Sequence, residues 1–160
     1  AGLVQTAKDT GDKLSVQKDM NFEADYPTSG PVVDVSSMDT DQVIVGFGGA
    51  FTEASAIIFA GMNKDRQEDF LKKYFDPDDG IGYSLGRVHI NSCDFSPPPA
   101  QWSEDDVKDD FDLKFFDNSV SHDSKVMIPL IKAAMERMQQ AGRELKLFAS
   151  PWSAPAWMKT

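Results

Sequence analysis

Along the chain the spacing of apolar positions switches between a period of two, unbroken runs and a helical stripe. Each change marks an element. From Leu85 to Ile90 the residues alternate, with Leu85, Arg87 and His89 on one side and Gly86, Val88 and Ile90 on the other. That period predicts a strand with an apolar, helix-covered face and a partly polar one. A charged Arg on the polar face is what a barrel strand shows near its mouth, where side chains converge. Val43 to Ala50 is instead an apolar run without alternation that ends in glycines. It suits a strand buried on both faces, as in a parallel sheet. Leu145 to Ala149 predicts a third parallel strand.

Helices are expected between these runs. Thr52-x-x-Ser55 and Ala54–Phe59 open one that is interrupted near Gly61, and Asn63 caps a second whose Phe70, Leu71 and Tyr74 share a face. Asp76 to Gly80 reads as the turn into the central strand. Met127, Leu130, Ile131, Ala134, Met135 and Met138 keep helical spacing. Pro129 is acceptable only in a first turn, so this helix starts near Val126 and stops at Gly142. Strand–helix–strand repeats with such crossovers imply parallel strands. Ahead of them, Leu14–Gln17 and Val32–Val35 alternate between breakers at Gly11-Asp12 and Thr28–Pro31, which predicts short strands of a separate β module. The expected division is residues 1–40 for that module and 41–160 for the α/β part. Asn91 to His122 is far longer than the usual βα loop of roughly two to six residues. It holds Phe95, Trp102, Phe111, Phe115 and Phe116 among acids, so its aromatics either line an entrance or pin an acidic surface excursion.

The net charge of the 160-residue chain is −10. Phosphate backbones would be repelled, and nucleic acid is not expected as a partner. No apolar stretch approaches bilayer-spanning length, so no membrane crossing is expected. Cys93 is the single cysteine, which excludes an internal disulfide. No His, Cys and Asp cluster has metal-ligand spacing, so no metal is expected. Gly46-x-Gly48-Gly49 lacks both the dinucleotide-binding spacing and the Lys-Ser/Thr pair of a P-loop, and close backbone packing accounts for it better. The first residue is not Met, Ala1 begins no recognisable secretory signal, and the chain stops at Trp157-Met158-Lys159-Thr160 within what reads as the start of a turn or helix. A piece of a longer protein is expected.

Two strand ends carry the candidate chemistry. The central strand runs out at Asn91-Ser92-Cys93-Asp94-Phe95, before Pro97–Pro99, and the third ends at Ser150-Pro151-Trp152. Parallel strands present ligands at their C-terminal ends, so Asp94 and Trp152 are expected to meet from adjacent strands. A carboxylate accepting from hydroxyls beside an indole offering an apolar plate suits a sugar ring. The competing account has Asp94 capping a turn and Arg87 pairing with a structural acid.

Five ordered segments carry a family resemblance: Gly46-Phe47-Gly48-Gly49-Ala50-Phe51-Thr52-Glu53-Ala54, Gly80-Ile81-Gly82-Tyr83 through Arg87-Val88, Ser92-Cys93-Asp94-Phe95, Asp109-Asp110-Phe111-x-Leu113, and Ala149-Ser150-Pro151-Trp152-Ser153-x-Pro155-x-Trp157-Met158-Lys159. In order and spacing they resemble glycoside hydrolase family 30, and within it the glucosylceramidases. The resemblance implies an α/β fold: an incomplete (β/α)8 TIM barrel, about strands 1–3 with their helices, preceded by β-strands of a side β-domain. It implies a retaining hydrolase of the β-glucosidic bond of glucosylceramide, in sphingolipid catabolism, lysosomal or secreted, and without a cofactor. By position, Asp94 would bond sugar hydroxyls, Trp152 would pack along the sugar, Phe95 would form pocket wall, and Arg87 would lie near the catalytic carboxylates. The family's two catalytic glutamates follow the fourth and seventh strands, the first in an Asn-Glu-Pro motif, and neither is in this chain. Glu53 and Glu104 match other places in the pattern. The chain alone is therefore expected to be inactive and to need the remaining barrel segments. Between Ser96 and Asp106 an aromatic-rich run of the glucosylceramidases is replaced by Pro97-Pro98-Pro99-Ala100-Gln101-Trp102. That departure leaves open a relative acting on xylan or β-1,6-glucan, or a non-catalytic carbohydrate-binding protein.

Overall fold

The computed structural model describes residues 2–23, 29–98 and 101–159. Thr28 of the expected breaker, Pro99 of the proline run and Thr160 lie outside them. The chain forms two compact units, Ala1–Val43 and Ile44–Thr160. In the first, β1 (Val4–Ala7) pairs antiparallel with β2 (Asp12–Val16), Val4 opposite Val16 and Gln5 opposite Ser15. Gly11, at φ +74°, supplies the left-handed residue of the connecting turn. The expectation for Leu14–Gln17 is met by β2, whereas β1 was not anticipated. Val32–Val35 forms no strand: Val32, Val33 and Val35 stand exposed, and no ladder partner faces them among the described residues. Alternation alone does not make a strand without a partner and a face to bury.

In the second unit β3 (Gly48–Phe51), β4 (Leu85–Ile90) and β5 (Lys146–Pro151) form a parallel sheet in the order β3-β4-β5. The helices α1 (Glu53–Ala60) and α2 (Lys64–Phe75) connect β3 to β4, and α3 (Met127–Gln140) connects β4 to β5. A mixed α/β layer in which consecutive strands are neighbours is consistent with part of a barrel. The expected strand from Val43 is shorter than its apolar run. Val43, Ile44 and Val45 are exposed, and pairing begins only where Gly48 meets Leu85. Along β3 burial is reached at Phe51 alone, so the two-sided burial expected of the run is absent.

Local signals set the helix ends. Thr52 Oγ1 accepts from the Ser55 N–H at 3.2 Å, and Asn63 Oδ1 accepts from the Arg66 N–H at 3.0 Å. At the end of α3, Gly142 takes φ +67° while Arg143 N–H donates to the Met138 carbonyl and Gly142 N–H to the Gln139 carbonyl, both at 2.9 Å. That double bond pattern satisfies carbonyls the helix itself leaves open. Met127, Leu130, Ile131, Ala134 and Met138 are buried, but Met135 is 43 % exposed. At about 100° per residue it falls about 40° past Ile131, over the edge of the apolar stripe. On α2 the core positions are Leu71 and Phe75; Tyr74 is exposed and leans on Phe70, ring centroids 4.7 Å apart.

One core joins the three helices to the sheet through Phe51, Phe59, Leu71, Phe75, Met127 and Leu130, with Val88 packed against it. Phe51 stacks on Phe75 with centroids 5.7 Å apart and planes 9° from parallel. Gly86 is what lets this pair reach the sheet. A Cβ there would stand 2.5 Å from the Phe51 ring and 2.7 Å from Leu147 Cδ2. Leu147 is free to turn, but the buried Phe51 ring is fixed by Phe75. Gly86→Ala is therefore expected to destabilise the fold by about 1–3 kcal/mol, measured by urea unfolding. A gain of about 0.5–1 kcal/mol, ordinary for Gly→Ala inside a strand, would show that the site has room.

Candidate functional site

All three parallel strands end on the same side, and the residues just beyond β4 and β5 build a cavity there. Asn91, at φ +63°, turns the chain out of β4, a conformation that Asn tolerates better than most residues. Its Oδ1 accepts from the Glu104 N–H at 3.0 Å. Trp152 N–H bonds the Ile90 carbonyl at 3.4 Å, which extends the β4–β5 pairing past the last ladder pair, Ile90 with Pro151. Ser92 and Trp102 close a neck on the loop between them: Ser92 N–H donates to the Trp102 carbonyl at 3.0 Å, and Trp102 N–H donates to Ser92 Oγ at 3.2 Å.

Asp94 and Trp152 meet as expected of adjacent strand ends, the indole Nε1 donating to Asp94 Oδ1 at 3.3 Å. Arg87 stands beneath them. Its Nε donates to Ser150 Oγ at 3.0 Å, and its guanidinium carbon lies 5.2 Å from the Trp152 ring centroid, a cation–π distance. Among the described residues Arg87 therefore pairs with a hydroxyl and an indole, and with no acid. Asp94 and Trp152 line a cavity of about 630 Å³ whose polar rim includes Ser92, Gln101, Ser103, Asp106 and Lys159. Trp102 forms another of its walls. Phe95 follows Asp94 but is 61 % exposed and is not among the lining residues.

Behind the cavity lies a buried polar cluster that the reading of the sequence did not assemble. Glu53, only 5 % exposed, begins α1 at the end of β3. Its Oε1 lies 2.6 Å from His122 Nε2, and its Oε2 accepts from Trp102 Nε1 at 3.1 Å. His122 stacks on Trp102, centroids 3.7 Å apart and planes 25° from parallel. Burial pushes the Glu53 carboxyl up, but hydrogen bonds from Ser96, His122 and Trp102 outweigh it and hold the group below the usual glutamate range. His89, buried on β4, accepts the Glu53 N–H on Nε2 at 3.2 Å. Its Nδ1 must then carry the proton it gives to the Asn91 carbonyl at 2.6 Å. The clue to His89 was its place on the Arg87 face of the strand. Glu53 and His122 carried no such signal. Among the described residues no group of three or more His, Cys, Asp or Glu stands ready to hold a metal ion.

Glu104 is the strained member of this region. It is buried, and Oε1 makes no hydrogen bond. Burial, then Asp123 and Asp117, raise its carboxyl above the usual range, with His122 opposing. A carboxyl raised by folding contributes stability below its unfolded value that is lost as pH rises through the folded one. Glu104→Gln, neutral throughout, is expected to raise the thermal midpoint at pH 7 by a few degrees and to give no advantage below about pH 4. Melting curves at the two pH values check this; an equal effect at both would assign the change to packing.

Known proteins resemble this chain in sequence and in fold. The chain is 45 % identical over 133 residues to a Caenorhabditis elegans protein with a glucosylceramidase name, covering 83 % of this chain and 24 % of that one. It is 39 % identical to the mouse lysosomal acid glucosylceramidase, covering 74 % of this chain and 22 % of the relative. The solved structure of an endo-β1,6-glucanase superposes with a TM-score of 0.64 at 25 % identity, over 78 % of this chain and 25 % of that one. The chain thus spans about a quarter of the length of the proteins it matches. A family model described as the glycosyl hydrolase family 30 TIM-barrel domain matches residues 44–160, the whole unit that carries the sheet, the cavity and the buried cluster. The chain belongs to glycosyl hydrolase family 30.

Proposed function

We propose that the chain is the first part of a retaining β-glucosidase that acts on glucosylceramide, in the lysosome or outside the cell. In this reading β3, β4 and β5 are the first three strands of a (β/α)8 barrel, residues 1–40 belong to a side β-domain, and the catalytic glutamates lie in the rest of the protein. The observation that carries it is the meeting of Asp94 and Trp152 on one cavity wall. A carboxylate accepts from hydroxyls, and an indole face packs on the C–H side of a pyranose, so the pair recognises a sugar rather than an anion or a nucleotide. The glucosylceramidase names of the worm and mouse relatives, one of them lysosomal, support the substrate and the compartment.

In the complete protein one glutamate would attack the anomeric carbon while the other protonates the leaving oxygen, with carboxyls about 5 Å apart. Water, losing its proton to the second glutamate, then attacks the anomeric carbon from the face the aglycone left and displaces the first glutamate's carboxylate, so configuration is retained. The chain described here supplies recognition groups, and by itself would leave the bond uncleaved. No helix among the described residues is long and apolar enough to cross a membrane. A second reading, hydrolysis of β-1,6-glucan, is favoured by the likeness to the endo-β1,6-glucanase and by the altered loop at Ser96–Asp106.

The complete protein is expected to release glucose from glucosylceramide as the β-anomer first, observed by NMR of the freshly formed sugar. Initial α-anomer would exclude retention, and turnover of β-1,6-glucan with none of glucosylceramide would favour the second reading. Asp94→Asn should lower kcat/KM at least about tenfold and Asp94→Ala further, since charged acceptors make bonds of roughly 1.5–3 kcal/mol. Discrimination between a glucoside and its deoxy analogue should collapse in both variants. If discrimination stays intact while stability falls, Asp94 only shapes the turn.

A further inference from the structure

The geometry points to Trp102 as a specificity-determining residue: an apolar wall for the part of a bound glycoside beyond the ring at Asp94 and Trp152, oriented by Glu53 and His122. The inference rests on the reading of the cavity as a glycoside site. Trp102 lines that cavity with Asp94 and Trp152, yet it comes from the long connection rather than from a strand end. The cavity, about 630 Å³, lies in the range of roughly 300–1,000 Å³ that encloses drug-sized ligands. One pyranose ring does not fill it.

The two indoles of the cavity differ in what they leave free. Trp152 spends its N–H on Asp94, at the cavity itself, so that wall handles hydroxyls and ring together. Trp102 directs its N–H inward to the buried Glu53 carboxylate. It retains no directional group for a hydroxyl and offers ring surface alone. One face of that ring is covered by His122. The rest of the indole is apolar surface, which suits alkyl or C–H groups and not a second set of hydroxyls.

Its orientation is also over-determined. Backbone bonds to Ser92 hold its main chain, and Glu53 holds its side chain from the β3–α1 junction, 49 residues away in sequence. Glu53 holds His122 with its other oxygen, so one buried carboxylate fixes both the plate and the ring behind it. Glu53 and His122 are positioning residues and touch no ligand.

The test uses the complete protein and two glucosides that resist hydrolysis, methyl and n-hexyl β-D-thioglucoside, with binding read by calorimetry. The unmutated protein is expected to prefer the hexyl compound. Trp102→Ala should cut that preference about fivefold, with methyl affinity changed less than about twofold. Trp102→Phe should keep most of the preference, and Glu53→Gln should lose part of it. Should Trp102→Ala fail to fold, Trp102→Gln retains a donor for Glu53 while removing the plate, and should lose the preference alike. Equal affinity for the two thioglucosides in the unmutated protein overturns the inference. So does a preference that survives both variants, or a parallel loss of both ligands. A hexyl preference that depends on Trp102 in a protein that hydrolyses no β-glucoside leaves this wall standing and removes the hydrolase reading instead.

Discussion

Parallel pairing forces every strand of a sheet to finish on the same side, and the site depends on that constraint. The β4–β5 ladder runs pair by pair from Leu85 with Lys146 to Ile90 with Pro151, and one further bond carries it to Trp152. Once that register is set, a carboxylate four residues past the end of β4 and an indole one residue past β5 come within reach, and the indole N–H bonds the carboxylate. Antiparallel pairing would send the same two residues to opposite edges. The register in turn relies on packing beneath it, where Gly86 admits the stacked Phe51–Phe75 pair and Val88 rests on the helices. Core and site are thus two ends of the same strand.

The third strand, β3, contributes to the site through Glu53 rather than through a residue at the cavity. Taking a carboxylate out of water is costly, and here the cost is offset by Ser96, His122 and Trp102 together, enough to keep the group ionised. Neighbouring Glu104 and Asp123 show the opposite balance. Each has an oxygen without a partner, and each is pushed toward its neutral form by burial. The contrast within a few residues shows that satisfaction by donors, and not depth, decides which buried acid keeps its charge.

What was legible in the sequence follows the range of the interactions. Thr52, Asn63 and Gly142 act within one helical turn, and their types announce the caps they form. The alternation of Leu85–Ile90 predicts the strand's bounds, but burial does not follow it: His89 on the polar side is buried, and Ile90 on the apolar side is 39 % exposed where the strand runs out. Asp94 and Trp152 were within reach because strand direction alone brings them together. Val32–Val35 and Val43–Val45 failed for the converse reason: their pattern is local, while a strand needs a neighbour that no local pattern supplies. The joining of Glu53 to Trp102 and His122 spans 49 and 69 residues. Neither Glu nor His at those positions differs in kind from the other charged residues of an acidic chain, so no spacing rule exposed it.

The neck between Ser92 and Trp102 bears on how such a protein changes over time. One main-chain bond, and a second from the Trp102 N–H to the Ser92 hydroxyl, fasten the loop at its base, so the chain leaves and rejoins at a fixed neck above β4. Insertions between those ends cost little, because loop-closure entropy grows only with the logarithm of loop length. A lineage can therefore change the length of this segment and keep the underlying sheet, so long as Asp94 still meets Trp152 and Ser96 still reaches Glu53. The neck makes the loop an exchangeable cassette, a place where descendants of one scaffold can diverge without first having to refold it.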